Sequence, residues 1–242
     1  MSRIIDCTMI VSDKMWRPAW KVDITTKRGA SHEVEGIKTQ LQVSTLHLSA
    51  HCGSHVDSPL HFIEGGPTIA ELPIERFLGE AAVVDLTDKG ELDPITAEDL
   101  EKRGKHVKEG DIVLLKTGWT ERNAAGETVR MEGLPKNVDY YKGPYPTPSM
   151  AEWMVKKKVK AVGYDCPNEW TQHLSIEYDY TRRGSPTKER EDVHRIHLSH
   201  GILHIEYLCN LTAIHKDRVM FFAVPLKLKT EGSPVRAFAI EE

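Results

Sequence analysis

The chain's apolar residues gather in short runs of strand length, and several of the segments between them carry helix start and stop signals. Arg3 to Val11 (RIIDCTMIV), rich in β-branched residues, predicts an opening strand. Thr39 to Ala50 alternates with period two, but its apolar parity changes: Leu41 and Val43 are odd, whereas Leu46, Leu48 and Ala50 are even. A one-residue slip turns every side chain to the other face, so the pattern predicts a bulge near Ser44-Thr45. Glu64-Gly65-Gly66-Pro67 has turn chemistry and Ile74 to Leu78 reads as a short helix. Ala81 to Leu86 and Asp111 to Thr117 are continuous apolar runs that predict buried strands. Between them, after Pro94, Thr96 and Gly104 frame a helix as N-cap and stop. Ser149 to Lys158 predicts another helix with Ser149 as its cap, leading into a strand over Val159 to Tyr164. Thr187 to His200 is charged, helix-forming and stopped by Gly201, and Ile202 to Leu208 (ILHIEYL) is a largely apolar strand. This order of strands and helices indicates an α/β protein. Glu121 to Pro148 and Pro167 to Pro186 are long polar segments, and loops of that length in compact domains serve function or oligomer contacts.

Composition narrows the class. A length of 242 residues allows one large domain or two small ones, and 40% hydrophobic with 28% charged residues is ordinary for a soluble globular protein. A net charge of −4 offers no basic footprint for nucleic acid, which points to a small-molecule partner. The opening Met-Ser-Arg-Ile-Ile-Asp has too short an apolar run for a secretory signal, and no run of eighteen apolar residues occurs, so the expectation is a cytoplasmic protein without a membrane span. Cys7, Cys52, Cys166 and Cys209 are scattered without a CxxC pair, which fits reduced thiols and argues against a zinc ribbon.

Chemistry concentrates in Ala50 to Phe62 (AHCGSHVDSPLHF), which places His51, His55, Asp57 and His61 within thirteen residues of a chain holding twelve histidines. Gly53, and the restriction that Pro59 imposes on Ser58, argue against a continuous helix and for an extended piece, where His55 and Asp57 share a face. That is a mixed N/O ligand set suited to zinc or manganese. Cys52 reads as a small buried residue, and His47 on the preceding strand as packed or solvent-facing. The second anomaly is Glu206 inside an apolar strand. Burying a carboxylate unpaired costs several kcal/mol, and a metal ion would satisfy it. His194, His197, His200 and His204 crowd the same region with roughly equal claims on composition alone, although helical spacing puts His194 and His197 on one face.

The thirteen-residue stretch resembles the signature H-x-G-T-H-x-D-x-P-x-H-F of the cyclase-like metal-dependent hydrolases, the family of bacterial kynurenine formamidase (arylformamidase) and isatin hydrolase. It matches at His51, Gly53, His55, Asp57, Pro59, His61 and Phe62, with Ser54 where threonine is usual. That family has a ligand histidine twelve residues before a ligand glutamate, and His194 stands twelve before Glu206, followed by the familiar E-x-L-x-N-L. Val224 to Ile240 is similar to the family's closing PLK…GSPVR strands, and Pro18-Ala19-Trp20 to its Pro-x-Trp. The resemblance implies a single domain over residues 1–242, with mixed β-sheet layers and flanking helices of the swivelling β/β/α type. It implies two divalent metal ions, zinc first and manganese as the alternative: His51, His55 and Asp57 for one, and Asp57, His194 and Glu206 for the other. It further implies that His61 moves protons, that Trp20 lies against an aromatic substrate, and that Asp165 has a supporting role. The implied activity is cleavage of the C–N bond of an N-formyl or cyclic aromatic amide by metal-activated water in a homo-oligomer, dimer or tetramer. A noncatalytic metal-binding scaffold, and a cyclase or dehydratase acting on another carbonyl compound, are the alternatives, and His61 could instead serve as a ligand or a core histidine.

Overall fold

The computed structural model describes residues 2–12, 22–121, 140–168 and 192–242. In chain order these form β1 (Arg3–Asp6), β2 (Val22–Val34), β3 (Ile37–Leu48), β4 (His55–Asp57), β5 (Leu78–Asp85), β6 (Pro94–Ile95), α1 (Ala97–Arg103), β7 (Ile112–Lys116) and β8 (Tyr145–Pro146). There follow α2 (Pro148–Lys157), β9 (Ala161–Tyr164), α3 (Asp192–Ser199), β10 (Leu203–Glu206), β11 (Arg218–Phe222), β12 (Gly232–Pro234) and β13 (Phe238–Glu241).

Nine strands make one mixed sheet in the order β1-β13-β11-β5-β7-β9-β10-β4-β12. The run β5-β7-β9-β10 is parallel, and the flanking pairings are antiparallel. Alternation along these strands sorts their side chains to two faces. Val83, Ile112, Leu114, Leu203 and Ile205 enter one core, where the curled sheet brings Val219, Phe221, Ala237 and Ala239 against them. Val84, Val113, Leu115 and Tyr164 enter a second core, covered by Leu100 of α1 and Met150, Trp153 and Met154 of α2. Burial on both faces is why the parallel strands read as unbroken apolar runs. The α/β class, the mixed sheet and the flanking helices are thus as expected. The first helix is also framed as expected, by a Thr96–Asp99 capping box and a stop at Gly104. All four cysteines are buried. Among the described residues no helix is long and apolar enough to cross a membrane.

Four expectations about elements need correction. The opening strand ends at Asp6 rather than Val11, because side chains then capture the backbone: Thr8 N donates to Asp6 Oδ1, and Met9 N to Ser54 Oγ. Helix α2 is capped by Thr147, whose Oγ1 accepts from Met150 N, while Pro148 takes the first helical position, where its missing N–H costs nothing. Ser149 Oγ accepts instead from Ala97 N, 3.3 Å away. Within the segment expected as a loop between Glu121 and Pro148, Tyr145 and Pro146 pair in parallel with Pro94 and Ile95.

The fourth correction is the largest. The segment after Thr39 is half of a long hairpin, β2 against β3, turning on Glu35-Gly36 with φ of 51° and 78°, as a two-residue type I′ loop requires. Its register shifts between Arg28 and Ser31, whereas Ser44 and Thr45 pair without interruption with Thr26 and Thr25. Parity carried no information there because nearly every residue of both strands is exposed, so no buried face constrains the pattern. Leu41, 72% exposed, and Leu46, 57% exposed, alternate in parity without either facing a core.

Candidate metal centre

Strand register assembles the site. β4 lies between β10 and β12, so that Asp57 sits opposite His204 and Gly232, and His55 opposite Glu206 and Pro234. The chain enters β4 through Gly53, at φ 61°, a conformation in which a Cβ would be strained. Ser54 Oγ then accepts from Met9 N at 2.8 Å and donates to Tyr207 O at 2.7 Å, a use for the hydroxyl that serine retains in place of threonine. His55 Nδ1 donates to Gly53 O at 2.8 Å, which fixes the tautomer. Its Nε2 lone pair therefore faces Asp57 Oδ1 at 3.4 Å and Glu206 Oε2 at 3.7 Å.

The other histidines close round the same carboxylate. His51 Nδ1 is 2.8 Å from Asp57 Oδ1, and its Nε2 is 3.3 Å from Glu231 Oε1. From α3, His194 Nε2 comes within 3.0 Å of Glu206 Oε1 and 3.8 Å of Asp57 Oδ2, with the Phe62 ring stacked on it at 4.5 Å. His61 ends the 3-10 turn Pro59–His61, with its ring centroid 4.2 Å from that of His51 and 5.7 Å from that of His194. His51, His55, Asp57, His194 and Glu206 thus come together, and His61 joins them at the edge, with one donor atom each of His51, Asp57 and His61 within 4.8 Å of one another. Trp20 lies outside the described residues, as do Trp16, Trp170, His173, Tyr178 and Tyr180.

Asp57 and Glu206 are buried acids, yet among the described residues neither Asp57 oxygen accepts a well-directed hydrogen bond. Burial opposes ionisation of Asp57, but the surrounding histidines, the raised His51 first, outweigh it and hold the carboxyl well below its usual range. Glu206 is likewise held low: burial and Asp57 push it up, and His194, His204 and His55 overcome them. His51 shows the converse, with burial opposing its charge while Asp57 and Glu231 lift it to about 10. His61 is pushed down to about 4, first by burial and then by the neighbouring His51 and His194 against the pull of Asp57. Three imidazoles and two carboxylates, one of them buried with neither oxygen saturated, are a donor set that a divalent cation fits.

Four further residues belong to this site. His204 is buried beside Glu206, with its Nδ1 3.7 Å from Glu206 Oε1. It is one of the four crowded histidines of the sequence, and the spacing in ILHIEYL puts it on the face of Glu206, since residues two apart on a strand share a side. Asn168 Nδ2 donates to Glu206 Oε1 and lies 3.1 Å from His194 Nε2, and Glu231 flanks His51. Nothing local in the sequence marks either. Tyr207 stacks on His55 at 5.8 Å. His197 is buried against His204, whereas His200 sits on the surface with its Nδ1 bonded to Ile196 O. Asp165 stands apart from the cluster: it accepts from Thr117 N, Thr117 Oγ1 and Gly118 N, and burial pushes it up to about 7 despite those donors.

The chain is similar over most of its length to known proteins. The family model described as "Putative cyclase" matches residues 5–169. The chain is similar to a kynurenine formamidase of Bordetella petrii, 28% identical over 204 residues that cover 83% of this chain and 81% of the relative. It is similar also to an isatin hydrolase of Roseibium aggregatum, 25% identical over 80% of this chain and 72% of that one. Among solved structures, isatin hydrolase A from Ralstonia solanacearum superposes with a TM-score of 0.73 at 20% identity, covering 100% of this chain and 92% of that chain.

Proposed function

Since the chain belongs to the cyclase family, we propose that it is a metal-dependent hydrolase that cleaves the C–N bond of an N-formyl or cyclic aromatic amide. The observation that carries this reading is Asp57, buried among His51, His55, His194 and Glu206 with neither oxygen saturated by hydrogen bonds. Substrates of similar chemistry are named for two relatives, a kynurenine formamidase and an isatin hydrolase. Residues 1–242 act as one domain of this kind.

The residues proposed to hold cations are His51, His55 and Asp57 on one side and Asp57, His194 and Glu206 on the other, zinc being the first candidate and manganese the second. When bound, a divalent cation supplies Lewis acidity, polarising a carbonyl oxygen and acidifying water. His61 supplies what the cation cannot. It is a neutral imidazole at the partly exposed edge of the cluster, able to accept a proton during attack and return it to the leaving nitrogen. Without that protonation an amine is a poor leaving group. Phe62 fixes the plane of the His194 ring and His55 Nδ1 is held by Gly53 O, while Trp20 is the residue proposed to contact the substrate's aromatic ring. The exposed apolar side chains of the β2–β3 hairpin, Leu41, Val43 and Leu46 among them, support a homo-oligomer.

The test is hydrolysis of formanilide, N-formylkynurenine and isatin by the metal-loaded protein, before and after chelation. His61→Gln should lower kcat by about 10²–10⁴-fold while metal content is retained. A metal-loaded protein inactive on every amide, imide and lactone offered would refute the reading.

A further inference from the structure

The ring of His204 is enclosed on every side, and its two nitrogens have different surroundings. Nε2 lies 2.9 Å from His197 Nδ1 and 3.4 Å from the Tyr164 hydroxyl. Among the described residues Nδ1 has no hydrogen-bond partner, and it points at the acidic side of the cluster, 3.7 Å from Glu206 Oε1. Leaving a buried imidazole nitrogen unpaired is costly, and the strand offers no local reason to tolerate it. The geometry has a simple purpose if the nitrogen is a ligand. A metal-binding histidine is typically held through its other ring nitrogen by a partner that fixes tautomer and orientation, which is the position His197 and Tyr164 occupy here.

The distances agree. Asp57, His194, His204 and Glu206 each offer one donor atom, all within 4.8 Å of one another and all buried. A tetrahedron of roughly 2.1 Å bonds has edges of about 3.4 Å. The measured separations of 3.0 Å (His194–Glu206), 3.7 Å (His204–Glu206) and 3.8 Å (His194–Asp57) bracket that value.

We infer that His204 Nδ1 is a ligand of the cation proposed for Asp57, His194 and Glu206, completing a closed, four-residue N₂O₂ set on the buried side of the site. This inference rests on the metal-dependent reading above. It makes the site asymmetric. The inner set has no position left for water or substrate, as in structural zinc sites, whereas His51, His55 and Asp57 leave one open beside His61. Substrate chemistry then belongs to the outer position, and the inner cation holds Asp57 in place.

Two measurements test this. In the zinc-loaded wild-type protein, anomalous diffraction should place a cation within about 2.0–2.1 Å of His204 Nδ1. In solution, chelator competition on the wild-type protein should show two classes of release, the slower belonging to the inner set. His204→Leu and His204→Gln should lose the slow class, with affinity for the inner cation falling by more than the roughly 10–100-fold expected from His197→Gln, which removes only an orienting partner. Cobalt-loaded protein should report the same loss through a changed visible absorption spectrum. A loaded wild-type protein whose cations stay beyond bonding distance of His204, or His204 variants with unchanged release kinetics and cobalt spectrum, would overturn the inference and leave the proposed activity standing. If the wild-type protein takes up no divalent cation, both fall.

Discussion

Gly232 touches the candidate site more closely than any side chain could. It sits on β12 opposite Asp57, and a Cβ built there would lie 3.0 Å from His51 Cε1, 3.1 Å from Asp57 Oδ1 and 3.2 Å from Val56 O. Ordinary contact begins near 3.4 Å, so Gly232→Ala requires these neighbours to retreat by roughly 0.2–0.4 Å. Val56 O is backbone in the middle of the sheet and yields least, so the displacement falls on the His51 ring and the Asp57 carboxylate. Misplacing a reacting group by 1 Å costs about 10²-fold, and scaling that logarithmically to a third of an ångström gives a loss of about fivefold in kcat/KM. Strain in a packed strand adds about 1–3 kcal/mol of destabilisation, a fall in Tm of roughly 2–12 °C for a chain of this size. The assays are steady-state hydrolysis, cation affinity by chelator competition, and thermal unfolding. Gly29→Ala is the control, since its nearest neighbour would be 3.6 Å away on the exposed hairpin. A Gly232→Ala protein with unchanged affinity, activity and Tm would refute the placement of β12 against the cluster.

Three other outcomes follow from the packing around these residues. Asn168→Ala removes the amide that donates to Glu206, and cation affinity should fall by about 10–100-fold with the fold intact, measured by chelator competition. Gly163→Ala puts a Cβ 2.7 Å from both Leu114 Cδ2 and Leu208 Cδ1, between β7 and β10, and should destabilise the protein by about 1–3 kcal/mol in urea unfolding, with partial recovery when Leu208→Val is added. Asp165 has its carboxyl raised from 3.8 to about 7, so the native state holds a proton that the unfolded chain has released. Its contribution is fully present below pH of about 4 and is lost as pH rises towards 7, so Asp165→Asn should gain stability relative to the wild type across that window. A stability difference that does not vary with pH would contradict the assignment.

Local physics in the sequence determined the class of the fold and half of the site. Apolar runs at Ala81 to Leu86 and Asp111 to Thr117 needed burial on both faces, and Thr96 and Gly104 carry their capping chemistry whatever surrounds them. His51, His55, Asp57 and His61 are legible because they sit within one short segment, and Glu206 because a carboxylate in an apolar strand demands a partner. Where no face is buried, as in the β2–β3 hairpin, alternation said nothing about structure, and the expected bulge was absent. Only the tertiary structure decided which of four crowded histidines face the acids. Pairing β10 with β4 turns His204 and Glu206 towards Asp57, and packing α3 on β10 brings in His194 and leaves His200 on the surface. Asn168 and Glu231 enter by the same route, from loops whose own sequence carries no signal, because a binding site is a set of distances between segments and those distances exist only once the sheet has closed.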